Sequence, residues 1–360
     1  MESFKDKKLY IEFLRTFAIF WVIFNHTEHK GFSLFTSYPA NSIEFWIYLF
    51  LSVFCKLSVP LFFAISGSLL LNKEESIKDV YLKRITKICI ALIVFSFIFY
   101  LQNIHDTSGT LSLHDFFKQL YISDWNYSYW YLYAFIPFLM SLPLLRPLVQ
   151  NMKKEHFYYL FVCAIFFMAI LPIGEYLLWH GKYTLNKNFR MAWIISDIVL
   201  YPCLGYFLEH KLDIEKIKKW ILPLWLINFI TIFISCFMTF YKANLIDNYD
   251  ISRIQTFYMS FVPVNVTTVF ITAKYFFTKN ALSPTVSKII LSLGSATFGI
   301  YLLHILFLYL PVTISLWPLL RDTLHINRMI VTFIICFLIM AVCYVITIII
   351  KKIPFINKLI

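Results

Sequence analysis

Residues 330–350, IVTFIICFLIMAVCYVITIII, run for 21 positions without a charged side chain. At about 1.5 Å per residue this makes about 30 Å of helix, the thickness of a bilayer's hydrocarbon core. A helix of that length on a soluble domain would carry a polar face, and this one has none. Residues 88–103, ICIALIVFSFIFYLQN, repeat the pattern. The whole chain follows suit: of 360 residues 60% are hydrophobic and 14% charged, a balance that belongs to membrane proteins.

Apolar runs between polar breaks predict an all-α, polytopic bundle of about ten transmembrane helices, near 9–26, 45–72, 88–103, 128–145, 157–174, 192–208, 221–240, 254–277, 289–311 and 329–350. No loop is long enough for a separate soluble domain, so residues 1–360 are expected to form a single integral membrane domain. With the N-terminus in the cytoplasm, 20 basic residues fall in inside segments and nine in outside segments. That bias predicts cytoplasmic N- and C-termini, because Lys and Arg are retained on the inner side. The segment after residues 1–8 lacks a small-residue cleavage site and carries Arg15, so it is expected to stay as the first helix. Seven cysteines lie in predicted helices without CxxC spacing, and neither a disulfide framework nor a metal site is expected. The net charge of +12 sits in short loops, which argues for topology signals and contacts with membrane lipids, not for nucleic acid. Residues 104–127 form the largest external loop, carrying His105, Asp106, His114, Asp115 and Asp124, either as a lid over an outer cavity or as an interfacial loop with aromatic anchors.

Arg15 and His26 differ by eleven positions, about 1100° of helical rotation, so both face the same way about 16 Å apart along the axis. An arginine at mid-membrane must be paired or face a polar cavity. Glu12, one turn away, is the expected partner, and the alternative is a packing salt bridge with an interfacial histidine.

Arg15-x10-His26 matches the paired basic residue and histidine of the membrane-bound acyltransferase-3 family. Residues 59–67, VPLFFAISG, resemble its second-helix motif, Trp130-Tyr131-Leu132 its fourth-helix motif, and residues 297–304, TFGIYLLH, its late-helix signature. The matches keep family order from residue 9 to about 310. The resemblance implies transfer of an acyl group, commonly acetyl or succinyl, from acetyl-CoA or another acyl-CoA to a hydroxyl or amine of an envelope glycan or lipid at the cell membrane. It makes His26 the candidate base or acyl-carrying nucleophile and Arg15 the group that holds the thioester or its oxyanion, below His26 in one cavity. His304 is expected at similar depth, either to orient or relay or as a packing histidine. Arg84-Ile-Thr-Lys87 resembles the family's Arg-x-x-Arg element, with Lys83 beside it, suited to coenzyme A phosphates; lysine at 87 loses the bidentate fork. Positive-inside charge is the competing explanation of these three.

Other polar residues in the apolar runs are assigned to the acceptor. Lys56 precedes Pro60 in a segment too long for one straight span, where a helix break is expected. Asp197 is expected to counter either Lys56 or His304. Trp130 and Tyr131 are either stacking residues or belt aromatics, and the histidine that often precedes that tryptophan in the family is replaced by Ser128 and Tyr129. A transporter or exporter of a glycan or lipid is the rival reading, signalled by inverted repeats with two equivalent broken helices; neither is evident in the sequence, nor is an oligomeric state.

Overall fold

Among the residues described by the computed structural model, 8–189, 192–354 and 357, the chain is helical and contains no strand. Lys5, Lys7, Arg190 and Lys358, which contribute to the charge bias, lie outside the described residues. Ten helical segments occupy the ten expected positions. They are α1 (Leu9–Asn25), α2 (Ile43–Leu70), α3 (Ile77–Thr107), α4 (Tyr127–Asn151), α5 (Lys154–Trp179), α6 (Leu200–Tyr206, continued by Phe207–Lys211), α7 (Ile214–Leu245), α8 (Val262–Lys279), α9 (Pro284–Leu308) and α10 (Arg328–Ile350). Seven of them are long and apolar enough to cross a membrane, eight if α8 is joined to Ile251–Phe257 across a 67° bend. The two others, α1 with 17 residues and the short α6, do not reach that length.

The boundaries follow from local chemistry. Ser42, Ser76, Asp213, Ser283 and Asn327 each cap a helix by accepting an N–H from the first turn. Ser76 starts α3 well before residue 88, and the Lys83–Asp79 ion pair at 2.7 Å stabilises its polar first turns, so a charged stretch that reads as loop is helix. The opposite correction applies to α6. Residues 192–199 are turns, with the Ser196 hydroxyl donating to the Trp193 carbonyl at 2.8 Å, and the helix begins only at Leu200. Asp197 therefore stands in a turn, not in a sixth helix.

In α2 the expected break is a single 3-10 turn, Cys55–Leu57, inside one continuous span. Pro60 falls in the first turn of the second half, where its missing N–H costs nothing. Two glycines seat this helix against α6. A Cβ on Gly67 would collide with the Pro202 backbone and one on Gly205 with the Ala64 backbone, so the two helices touch main chain to main chain. At the centre lies α1, packed against α2, α8, α9 and α10, with Ile11, Leu14, Ala18, Ile19, Ile23 and Phe24 fully buried. A helix apolar on every side can be enclosed in this way, and it carries Arg15 and His26 into the interior.

Much of the stretch 104–127 is helical. α3 extends to Thr107, and the short helix Leu113–Ile122 packs Phe116 against Tyr100 and Trp125 at the end of α3. His105, Asp106, His114 and Asp115 are exposed.

Candidate active site

Two cavities lie along α1, and Tyr301 of α9 stands in the wall of both. The cavity at the His26 end of α1, named outer after the orientation expected from the charge bias, measures about 220 Å³ and is lined by His26, Asn25, Lys56, Ser58, Ser128, Trp130, Asp197 and Tyr301 among others. The inner one, about 480 Å³, is lined by Arg15, Ser66, Arg84, Lys87, Tyr131, Ser295, Tyr301 and Lys351 among others. Arg15 and His26 thus share a face of α1 but not a cavity. The expected single chamber is divided by the Tyr301 ring, which packs edge-on to Tyr131 at 5.4 Å and donates its hydroxyl to the Ser128 carbonyl.

His26 ends α1, its ring 5.3 Å from that of His304 and 5.0 Å from that of Tyr127. His304 is fully buried, and its Nδ1 lies 2.6 Å from the Tyr301 carbonyl. Only an N–H can bond a carbonyl, so that contact puts the proton on Nδ1 and leaves Nε2 an acceptor with no hydrogen-bond partner beside His26. A roof of Tyr127, Tyr309 and Glu28 covers this pair. Tyr309 lies 3.1 Å from the Tyr127 hydroxyl and donates to the Glu28 carboxylate at 2.8 Å.

Lys56 donates to Asn25 Oδ1 at 2.8 Å and lies over the Phe32 ring. The ion pair expected of Asp197 with Lys56 or His304 is not formed. Asp197 lines the outer cavity without an ion pair among the described residues, and His304 spends its N–H on a backbone carbonyl. Trp130 and Tyr131, adjacent in sequence, fall in different cavities, Trp130 half-exposed at the outer one and Tyr131 buried at the inner.

In the inner cavity Arg15 pairs with Glu12 at 2.8 Å, as expected. The backbone of α1 at Glu12 comes so close to Gly294 of α9 that a Cβ there would strike the Glu12 side chain. Arg84 and Lys87 face this cavity together, but Arg84 grips Glu75 with both ends of its fork, at 2.9 Å through Nε. Arg146 joins from α4, 2.7 Å from the same carboxylate. Arg84's hydrogen bonds, then those of Arg146, hold the Glu75 carboxyl down at about 2 despite partial burial. Lys83 is 74% exposed, is paired with Asp79, and lines neither cavity. Lys351, which counts only towards topology in the sequence, lines the inner cavity and donates to the Ser295 carbonyl at 2.6 Å. Nothing in one sequence places it beside Arg15, and the same holds for Tyr127 and Tyr309 beside His26. Tyr301 sits inside the TFGIYLLH motif, where its aromatic character gave no hint of a dividing wall.

Four cations and no carboxylate line the inner cavity, which suits an anionic ligand. The outer one offers an imidazole beside hydroxyl, amide, ammonium and carboxylate groups. Among the described residues no group of three or more His, Cys, Asp or Glu is placed to hold a metal ion. No curated protein and no solved structure matches the chain. A family model, that of the type 3 acyltransferase domain, matches residues 8–348, nearly the whole length. With its bundle of membrane-length helices matched almost end to end by that model, the chain belongs to the acyltransferase-3 family of transferases.

Proposed function

We propose that the protein transfers an acyl group, acetyl in the simplest case, from cytoplasmic acyl-CoA across the cell membrane to a hydroxyl of an envelope glycan or lipid. The observation that carries this reading is the pair of cavities meeting at Tyr301, a cationic one on the Arg84 side and a His26-lined one on the other. Lys87, Lys351, Arg15 and the outer edge of Arg84 receive the phosphates of the donor, and the thioester arm points along α1 towards Tyr301. His26 accepts the proton of the acceptor hydroxyl. The hydroxyl oxygen then bonds to the acyl carbon, the carbon–sulfur bond breaks, and the proton passes to the departing thiolate. In a route through an acyl-histidine, a ring nitrogen of His26 first bonds to the acyl carbon as the carbon–sulfur bond breaks and the thiolate leaves; the acceptor oxygen then bonds to that carbon as the carbon–nitrogen bond breaks, and the hydroxyl proton ends on the thiolate. His304 orients His26 through the unpartnered Nε2. Arg15, about 16 Å along the helix from His26, is too far away to stabilise an oxyanion formed there, so its part is to hold the donor.

Trp130, Lys56 and Asp197 border the acceptor's side of the outer cavity, giving a stacking face and two charges of opposite sign. For export of a whole glycan or lipid, a matched pair of broken helices is the expected device. The only sharply bent span among the described residues is Ile251–Phe257 with α8. The test is mass spectrometry of envelope glycans and lipids with and without the protein, together with acyl-CoA binding to the purified chain. One missing acyl increment, restored by wild type but not by His26→Ala, is expected. An unchanged acylation profile combined with no acyl-CoA binding would rule the reading out.

A further inference from the structure

A third cavity, about 320 Å³, lies beyond His26, between the segment that follows α1 and the start of α10. Its walls bring together His29, Lys30, Trp317, Arg321 and Arg328 with Leu34, Ile314, Pro318 and Val331. Lys30 lies over the Trp317 indole, its ammonium 4.9 Å from the ring centre. Arg321 is held by Asp322 through Nε at 2.5 Å and Nη2 at 2.7 Å, while neither Lys30 nor Arg328 forms an ion pair among the described residues. Burial pushes the Lys30 ammonium below its ordinary range, Glu28 opposes this only in part, and the Glu28 carboxylate is engaged by Tyr309. The framework around the cations is fixed. Thr332 of α10 donates to the Lys30 carbonyl, and Gly31 lies so close to Thr27 and Thr332 that a Cβ would collide with both.

Nothing in the acyl-transfer scheme uses these groups. Cations gathered around an indole and an aliphatic floor, with one carboxylate committed to one arginine, are the chemistry that takes a phosphate joined to an apolar or sugar-like body. We propose that this cavity is a binding site for a phosphate ester, held by Lys30 and Arg328, with its organic portion against Trp317. The phosphate has two sources, a lipid headgroup or a soluble sugar phosphate. Exposed Val312, Ile314 and Leu319 beside the cavity favour the lipid.

The full chain is purified in a neutral detergent and titrated with dioctanoyl phosphatidic acid, with glycerol 3-phosphate, and with dioctanoyl phosphatidylcholine as a zwitterionic control, following Trp fluorescence and thermal stability. Phosphatidic acid is expected to bind and to lose at least tenfold in affinity in the Lys30→Gln/Arg328→Gln double variant. Lys30→Arg keeps the charge and should bind within about threefold of wild type. Equal binding of glycerol 3-phosphate assigns the site to soluble phosphates, and its failure with the lipid arm intact assigns it to lipid; both support the proposal. Equal affinity of wild type and double variant for phosphatidic acid, or equal binding of phosphatidylcholine and phosphatidic acid, would overturn it. If the double variant does not fold, the Lys30→Gln single variant decides by the same criterion, with a threefold loss as the threshold. No acyl donor is present in the titration, so the outcome is independent of the acyl-transfer reading.

Discussion

His26 is the one imidazole at the outer cavity that also faces a second, buried imidazole, and its replacement separates chemistry from binding. His26→Ala should lower acyl transfer about 10²- to 10⁴-fold, the usual worth of a positioned general base, while leaving acyl-CoA affinity within about twofold. Donor affinity falling as far as turnover would place His26 in binding instead. Glu75 makes a different prediction. Its folded-state pKa of about 2 lies below the ordinary 4.5, so its ionised pairing with Arg84 and Arg146 contributes stability that is fully present above pH 4.5 and is lost as pH falls towards 2. Thermal unfolding in detergent between pH 5 and 2.5 should show that loss in wild type and a flatter profile in Glu75→Gln; parallel profiles would remove Glu75 from the acid response. The same triad alters what Arg84→Ala does. In sequence Arg84 reads as an exposed loop cation whose loss weakens donor binding more than folding, but the side chain is half-buried and doubly bonded to Glu75, so the variant should also lose stability. The residues of the site that were legible were those whose type is costly in a membrane, namely Arg15, His26 and His304, along with Glu12 at helical spacing. Where Lys83 would stand relative to the cavities was not legible, because a cation on a helix end looks the same in sequence whether it faces a cavity or water.

At the scale of elements, apolar length pointed to a helix near each of the ten expected positions, seven or eight of them long enough to span a membrane, and it failed where polar residues are helical or apolar ones are not. The first turns of α3 are charged yet helical because Ser76 caps them and Lys83 pairs with Asp79. Residues 192–199 are mostly apolar yet form turns that are half-buried or exposed, and no sequence period distinguishes an apolar turn from a short helix. The crossing of α2 and α6 was not legible at all, since it depends on two glycines, Gly67 and Gly205, meeting from distant parts of the chain. It predicts that Gly67→Ala and Gly205→Ala each cost about 1–3 kcal/mol through overpacking. Gly174 in α5, whose Cβ would meet nothing within 4 Å, serves as the control and should tolerate alanine without loss. Melting temperatures of the three variants in one detergent decide it, and equal values for all three would mean that the crossing yields without cost.

For the molecule as a whole, orientation is the expectation that most needs a direct measurement, because the charge bias rests on counting loops. Cysteines placed at Lys83 and Lys216 should be shielded from an impermeant reagent applied to intact cells, and those at His114 and Lys182 should be labelled. Labelling at Lys83 from outside would reverse the direction of acyl flow. The division at Tyr301 then bears on the economy of the cell in a way unrelated to catalysis. A protein that opened one continuous wet path between its two faces would short-circuit the membrane, and each ion crossing 100 mV dissipates about 2.3 kcal/mol. On the proposed route, a phenol ring between the cavities would let an acyl group be handed on while the bilayer stays insulating. Tyr301→Ala, reconstituted in vesicles under a potassium diffusion potential, should collapse that potential faster than wild type, and an unchanged decay would mean that the seal lies elsewhere.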